Sequence, residues 1–388
     1  MPNLRILVIA TDIYTHGGVA RYTSTLATAL GHFLGQQNVH VLALLNWGAC
    51  DGAPDGFRVV GVVSTRVGLI SKLQFALRAV RLGRQKYDLV IANHVGLAPV
   101  AAMIRHWDGT HYWVACHGIE VWHRLSPLKR AALRQADLVL PVSRFTAEML
   151  WRVNCIPRSR TRVLVNAIPP AFADLLLSSN GVPNFVPVRK DANKEQLLLS
   201  VGGVSKEHEY KGVDTVIRAL PRILACVPNA RYVVVGSGNN RRELGQLATE
   251  AGVSHRVTFV GEVPDVELAA LYRACDVFVM PSRALERDGE WTGEGFGRVY
   301  VEAALAGKPV VGSHAGGAAE AVLHGKTGLL VDPLSVDGVA EAVVTLLTKP
   351  NIGQSMGAKA REWAAANFCL QAMERDLQEM LRPYRSTC

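Results

Sequence analysis

Two glutamates, Glu294 and Glu302, stand eight residues apart around the turn Gly295-Phe296-Gly297. The glycines open a helical run that continues through Ala306. A helix N-terminus presents amide groups that have no intrahelical acceptor, and glycines there let a phosphate approach the backbone. Glu294, just ahead of the helix, can reach sugar hydroxyls. Glu302, about two turns in, can accept both hydroxyls of a ribose. Lys211 ends the run Ser205-Lys-Glu-His-Glu-Tyr-Lys211 and is a compact point charge suited to a diphosphate. Gly17-Gly18 and His117-Gly118 each follow a short apolar run, where a strand would hand over to a loop. The chain contains no Asp-x-Asp pair to hold a divalent metal under a diphosphate. No Ser/His/Asp order or Cys nucleophile context stands out, so neither acyl chemistry nor a metal site is expected.

These residues need a scaffold that brings loops together. Short apolar runs at Arg5–Ala10, Val39–Leu45, Leu89–Asn93, Tyr112–Cys116, Leu138–Val142 and Arg162–Val165 alternate with helical patterns, including one from Val19 to about Leu30. The alternation restarts with strands at Leu197–Val201, Tyr232–Val235, Val257–Val260, Val277–Met280, Pro309–Gly312 and Leu329–Val331. Such alternation predicts parallel sheets covered on both faces. The fold class is therefore α/β: two tandem Rossmann-like, doubly wound domains, with ligands expected outside the carboxyl ends of the strands and in a cleft between the domains. The first domain is set at 1–177 and a polar, Pro- and Gly-containing linker at 178–195. The second domain follows at 196–365, and a last helix at 366–388 is expected to pack back toward the first domain.

At 388 residues, with 49% hydrophobic and 19% charged residues, the chain has core material for two globular domains. No apolar stretch approaches the roughly 20 residues of a spanning helix, and the apolar start Leu4–Ala10 reads as a strand rather than a leader. Seven scattered cysteines without a CxxC pair suggest reduced thiols and the cytoplasm. Residues 1–175 hold 19 Lys/Arg against 9 Asp/Glu, a net +10, while the remainder is close to neutral. An anionic partner for the first half follows: a membrane surface, a lipid diphosphate or nucleic acid. Within it, residues 69–86 form a basic amphipathic segment. Leu69, Leu73, Leu77 and Val80 can share one face, and the segment suits either an anionic membrane or the core.

The motif Glu294-Gly-Phe-Gly-Arg-Val-Tyr-Val-Glu302 resembles the E-x7-E motif of retaining glycosyltransferases of the GT-B fold, family four. The likeness extends in order through Gly17-Gly18, His117-Gly118, Val201-Gly-Gly…Tyr-Lys-Gly212, Val235-Gly-Ser-Gly238, Val260-Gly-Glu-Val263, Met280-Pro-Ser282 and Gly316-Gly-Ala-Ala-Glu320. The resemblance implies a catalytic set of His117, Lys211 and Glu294. It implies donor contacts at Gly17, Gly18, Val263, Gly295, Phe296, Gly297 and Glu302. The cosubstrate would be a nucleotide sugar, GDP-mannose or a UDP-sugar, with no cofactor and no metal. The reaction would retain anomeric configuration and deliver a hexose to a lipid-linked saccharide in exopolysaccharide or cell-envelope glycan assembly. Such an enzyme works in the cytoplasm or on the inner face of the cell membrane and does not bind nucleic acid. A soluble acceptor, and a nucleotide-sugar-binding protein without turnover, are the alternatives. A dinucleotide-dependent oxidoreductase is disfavoured, because Arg241 stands where the fingerprint starting at Gly236 needs a third glycine.

Two departures from the family pattern mark this chain. Gly203 stands where an arginine is usual, with Lys206 as a replacement charge, and Arg298 stands where an aliphatic residue is usual. Arg298 is expected either on a phosphate or paired with an acid between Glu286 and Glu294. The stretch 283–293 is longer than usual and reads equally as a cover for the donor sugar or a surface loop.

Overall fold

The computed structural model describes residues 4–14, 17–45, 56–64, 66, 68–178, 195–287 and 289–385. The chain divides into two compact units, Met1–Pro169 with Cys369–Cys388, and Pro170–Phe368.

The first unit is built on six parallel strands: β1 (Ile6–Ala10), β2 (Val39–Leu45), β3 (Arg58–Ser64), β4 (Leu89–Ala92), β5 (His111–Cys116) and β6 (Leu138–Pro141). Their order is β3-β2-β1-β4-β5-β6. Helices α1 (Gly18–Leu34), α2 (Leu69–Gly83), α3 (Ala98–Asp108), α4 (Pro127–Gln135) and α5 (Arg144–Asn154) connect or follow the strands. β1 and β4 are buried along their whole length, as central strands covered on both faces must be. β3 lies at the edge and is only half-buried; its mixed Arg58–Ser64 sequence gives no buried-strand signal. Arg162–Val165, expected as a strand, is extended chain that bonds β6 through the Arg162 and Leu164 amides without forming a regular ladder.

In the second unit the helix α6 (Pro170–Leu177) comes first. It was expected on the N-terminal side of the linker but packs with the second unit: Arg273 donates to the carbonyls of Leu175 (3.1 Å) and Ser178 (2.9 Å). Residues 179–194, most of the expected linker, lie outside the described residues. The sheet comprises β7 (Gln196–Val201), β8 (Ala230–Val235), β9 (Val257–Gly261), β10 (Val277–Val279), β13 (Val310–Ser313) and β14 (Gly328–Val331), all parallel and ordered β14-β13-β10-β7-β8-β9. Between β10 and β13 the chain makes an antiparallel hairpin, β11 (Ala284–Arg287) and β12 (Glu290–Gly293), so the long 283–293 stretch is an ordered element rather than a plain loop. Helices α7 (Val213–Cys226), α8 (Arg241–Glu250), α9 (Asp265–Ala274), α10 (Arg298–Leu305), α11 (Val336–Thr348) and α12 (Pro350–Asn367) complete the unit. Helix α13 (Leu370–Met380) belongs to the first unit, where Glu374 meets His32 (2.8 Å) and Trp113 donates to Tyr384 (3.1 Å).

Candidate active site

Counted within its own unit, each sheet has the order 3-2-1-4-5-6. That order reverses direction between the first and fourth strands, and loops leaving their carboxyl ends diverge to either side and open a crevice. In the second unit these strands are β7 and β10. β7 leads into Gly202-Gly203 and the turn of helix Lys206–Lys211; β10 leads through Met280 and Pro281 into Ser282, Arg283 and the hairpin.

The two loops are tied together at this point. The Arg283 amide donates to the Tyr210 carbonyl (2.6 Å), and its guanidinium meets Asp214 (2.6 Å) and Thr215 (2.6 Å) at the start of α7. This strap holds the segment that ends in Lys211. The Lys211 ammonium lies 2.9 Å from Glu294 Oε2, with side chains only 12% and 16% exposed. Burial by itself lowers the lysine's basicity, but the Glu294 carboxylate and the Tyr210 ring more than offset it, so the net shift is upward and Lys211 stays charged. Glu294 is fixed from behind: its carbonyl accepts from the Gly317 amide (2.9 Å), and a Cβ on Gly317 would come within 2.0 Å of the Gly295 carbonyl oxygen.

Gly297 begins α10 with φ of 86°, and no side chain caps the helix. The Tyr300 amide turns back to the Gly297 carbonyl (3.0 Å), and the amides ahead of it in the first turn remain available to an anion. By contrast α5 and α11 are closed by Ser143 and Ser335. Only glycine fits at 297, because a Cβ would lie 2.3 Å from the ring of the fully buried Tyr300. Phe296 is itself buried and packs on Phe368, with ring centroids 5.3 Å apart, so it offers a ligand its backbone and not its ring.

Glu302, expected on a ribose, lies within the interior of its unit. It is 3% exposed, and both its oxygens are engaged, Oε2 by the Tyr272 hydroxyl (2.9 Å) and Oε1 by Arg298 Nε (2.9 Å). Arg298 therefore pairs with Glu302 of its own helix, one turn on. Burial and the adjacent Glu302 carboxylate raise the Tyr272 phenol well above its ordinary range, so it stays a donor.

In the first unit the corresponding loops follow β1, β4 and β5. His117 Nε2 lies 2.8 Å from the Asn93 carbonyl; a carbonyl only accepts, so Nε2 carries a proton and donates. The His117 amide donates to Glu120 (2.5 Å), and the ring stands edge-on to buried Tyr22 and stacks with His94. Burial lowers the basicity of His94, with Glu120 opposing. This group sets one carboxylate, Glu120, beside two imidazoles.

Two family models match the chain, Glycosyltransferase Family 4 over residues 16–172 and Glycosyl transferases group 1 over residues 184–363. A Mycobacterium tuberculosis relative, a GDP-mannose-dependent alpha-(1-6)-phosphatidylinositol monomannoside mannosyltransferase, is 32% identical over 399 residues, covering 97% of this chain and 98% of the relative. The chain belongs to the family 4, group 1 glycosyltransferases. Its fold is also that of Anabaena Alr3699/HepE in complex with UDP (TM-score 0.73, 23% identity, covering 98% of this chain and 100% of the other). It matches sucrose-phosphate synthase from Thermosynechococcus elongatus as well (TM-score 0.75, 22% identity, 99% and 100%). At those identities the likeness is one of fold, GT-B.

This nucleotide-sugar glycosyltransferase brings Lys211, Glu294 and the Gly295–Gly297 turn together in one unit. Lys206 does not join them; it is tied to Glu243 on α8 (3.0 Å) at an exposed position. Val263 is half-buried just beyond β9, where the neighbouring Glu262 accepts from Ser237 (2.5 Å). Gly17 caps α1 without a side-chain bond, and Gly18 has open space where a Cβ would stand. Sequence reasoning missed Arg283, Tyr272 and the Asn93-His94 pair. The last had a legible signal, two polar residues directly after a buried strand, whereas Arg283 and Tyr272 gain meaning only from partners distant in sequence.

Proposed function

We propose that the chain is a retaining, metal-independent hexosyltransferase that moves mannose from GDP-mannose, or a hexose from a UDP-sugar, to a lipid-linked saccharide. The observation that carries this reading is the buried Lys211–Glu294 pair beside the uncapped start of α10. The diphosphate of the donor binds the α10 amides and Lys211, and Glu294 passes to the hydroxyls of the sugar. The bond from the anomeric carbon to the phosphate oxygen breaks, and charge that develops on that oxygen is met by the ammonium and the helix dipole. The acceptor oxygen bonds the same face of the anomeric carbon, and its proton moves to the departing phosphate. His117 acts on the donor sugar.

GDP-mannose is the first choice because the Mycobacterium tuberculosis relative is named for it, and that name also specifies a phosphatidylinositol-linked acceptor. Helix α2 supports a lipid-linked acceptor independently. Leu69, Ile70, Leu73 and Leu77 are 76%, 73%, 57% and 61% exposed. Val80, expected with them, is buried with Phe75 and Ala79 on the opposite side, which serves the core. From Gly56 to Tyr87 the sequence holds seven Lys/Arg and no Asp/Glu. An apolar stripe within a purely basic segment suits the inner face of an anionic membrane. No helix among the described residues is long and apolar enough to cross one.

The test is transfer from GDP-mannose and from UDP-glucose to a phosphatidylinositol mannoside, with product analysed by NMR and with EDTA present. An α-linked product formed at undiminished rate in EDTA is expected. A β-linked product overturns retention, and loss of activity restored by a divalent ion overturns metal independence.

A further inference from the structure

Resting on the donor site proposed above, we propose that the imidazole of His208 is its second phosphate-binding cation, and that it takes up its proton as the diphosphate arrives. Gly202 and Gly203, at the end of β7, each clear room for one side chain of the segment that follows. A Cβ on Gly202 would lie 2.7 Å from Cδ and Cε of Lys211; one on Gly203 would lie 2.7 Å from Nδ1 of His208 and 2.9 Å from its Cε1 and Cγ. The lysine stem and the imidazole therefore rest on adjacent residues of one backbone shelf. Position 203 is where the family pattern has an arginine, and here the space of that side chain is filled by the ring. Lys206 is engaged elsewhere by Glu243.

The ring is held by a hydroxyl and not by a carboxylate. Its Nδ1 lies 2.7 Å from Ser205 Oγ, and Tyr210 lies alongside with ring centroids 6.1 Å apart. The charged groups around it are Lys211, Glu207 and Glu294, with Glu209 and Asp214 lining the small cavity at its side and Asp214 already bound to Arg283. Burial first, and the Lys211 ammonium second, hold the imidazole below its ordinary basicity, against the pull of Glu207 and Glu294. At neutral pH it is uncharged. A nucleotide sugar brings two negative charges to the neighbouring lysine, which partly cancels the repulsion and adds an attraction. One proton from solvent then moves onto Nε2, and the site recovers the second positive charge that Gly203 lacks.

The test is isothermal titration of the full chain with GDP-mannose and with UDP-glucose, whose esterified diphosphates have no proton to exchange near neutrality. Buffers of different ionisation enthalpy give the protons taken up. The expected result is uptake of a substantial fraction of one proton at pH 7, and a Kd that tightens toward pH 6 by up to about tenfold per pH unit. His208→Gln should lose both the uptake and the pH slope. The double variant Gly203→Arg/His208→Ala should regain affinity with neither. Binding by the parent chain without uptake, or uptake that survives His208→Gln, overturns the proposal. Failure of the parent chain to bind either nucleotide sugar sinks the donor reading and this proposal with it.

Discussion

The two units share one strand order, yet the loops at their switch points hold opposite kinds of chemistry. After β4 and β5, Asn93, His94, His117 and the Glu120 carboxylate form a cluster with Tyr22 of α1, ordered by hydrogen bonds and ring contacts. After β7 and β10, charges are buried in pairs: Lys211 with Glu294, Arg283 with Asp214, and Arg298 with Glu302. Buried ion pairs seldom add net stability, because desolvation consumes most of the attraction. Arg283–Asp214 straps two loops and Arg298–Glu302 lies within one helix, whereas Lys211–Glu294 stands beside the uncapped start of α10. The repeated topology supplies a place, and the loop residues decide what is done there.

The contrast would break most visibly at Gly297. Alanine there must adopt a left-handed backbone and push against Tyr300, which is fully buried and donates to the Met280 carbonyl (2.7 Å). The strain and overpacking should together cost about 2–4 kcal/mol of stability, measured by urea unfolding, and donor binding should fall with it. An equivalent loss is not expected for Gly18→Ala, where a Cβ meets nothing within 4 Å. Equal losses at the two glycines would erase the difference between the units.

Lys211→Ala and Glu294→Ala should each lower kcat/KM by at least about 30-fold, about 2 kcal/mol of transition-state stabilisation. Near-normal turnover in both would remove the site from the second unit. His117→Ala should cost less, about tenfold, because the proposed mechanism gives it the sugar and not the leaving group. If His117→Ala proved the more damaging, the charged loops would be structural and the polar cluster the catalytic one.

The fold was legible where burial is symmetric. Central strands such as β1 and β4 are continuous apolar runs, and their alternation with helices announces parallel sheets. Edge strand β3 went unseen because half of it faces outward, and Arg162–Val165 deceived because an extended apolar segment need not find a ladder. At the site, Lys211, Glu294 and the glycine turn were visible as a motif. Their pairing was not, since the two residues are 83 positions apart. Arg298 stands out in the sequence as a departure from the family pattern, but its pairing with Glu302 depends on both residues facing one side of α10. Gly203 reads in the sequence as a missing charge, whereas in the fold the His208 imidazole rests on it.

The smallest expected effect sharpens the comparison from the side of the first unit. α2 exposes Leu73 at the centre of its apolar stripe, while Phe75 and Ala79 face the core, so Leu73→Ser should leave the fold intact. Half-burial of a leucine in lipid headgroups contributes on the order of 1 kcal/mol, so the variant should bind phosphatidylglycerol-containing vesicles about fivefold more weakly. Binding of the parent chain should also fall with added salt, since Lys72, Arg78, Arg81 and Arg84 act through a screened field. Turnover with a water-soluble acceptor should not change, because nothing in the charged loops of the second unit depends on this stripe. Vesicle binding that ignores both the substitution and the salt would leave α2 without a lipid role, and the acceptor reading would then favour a soluble saccharide.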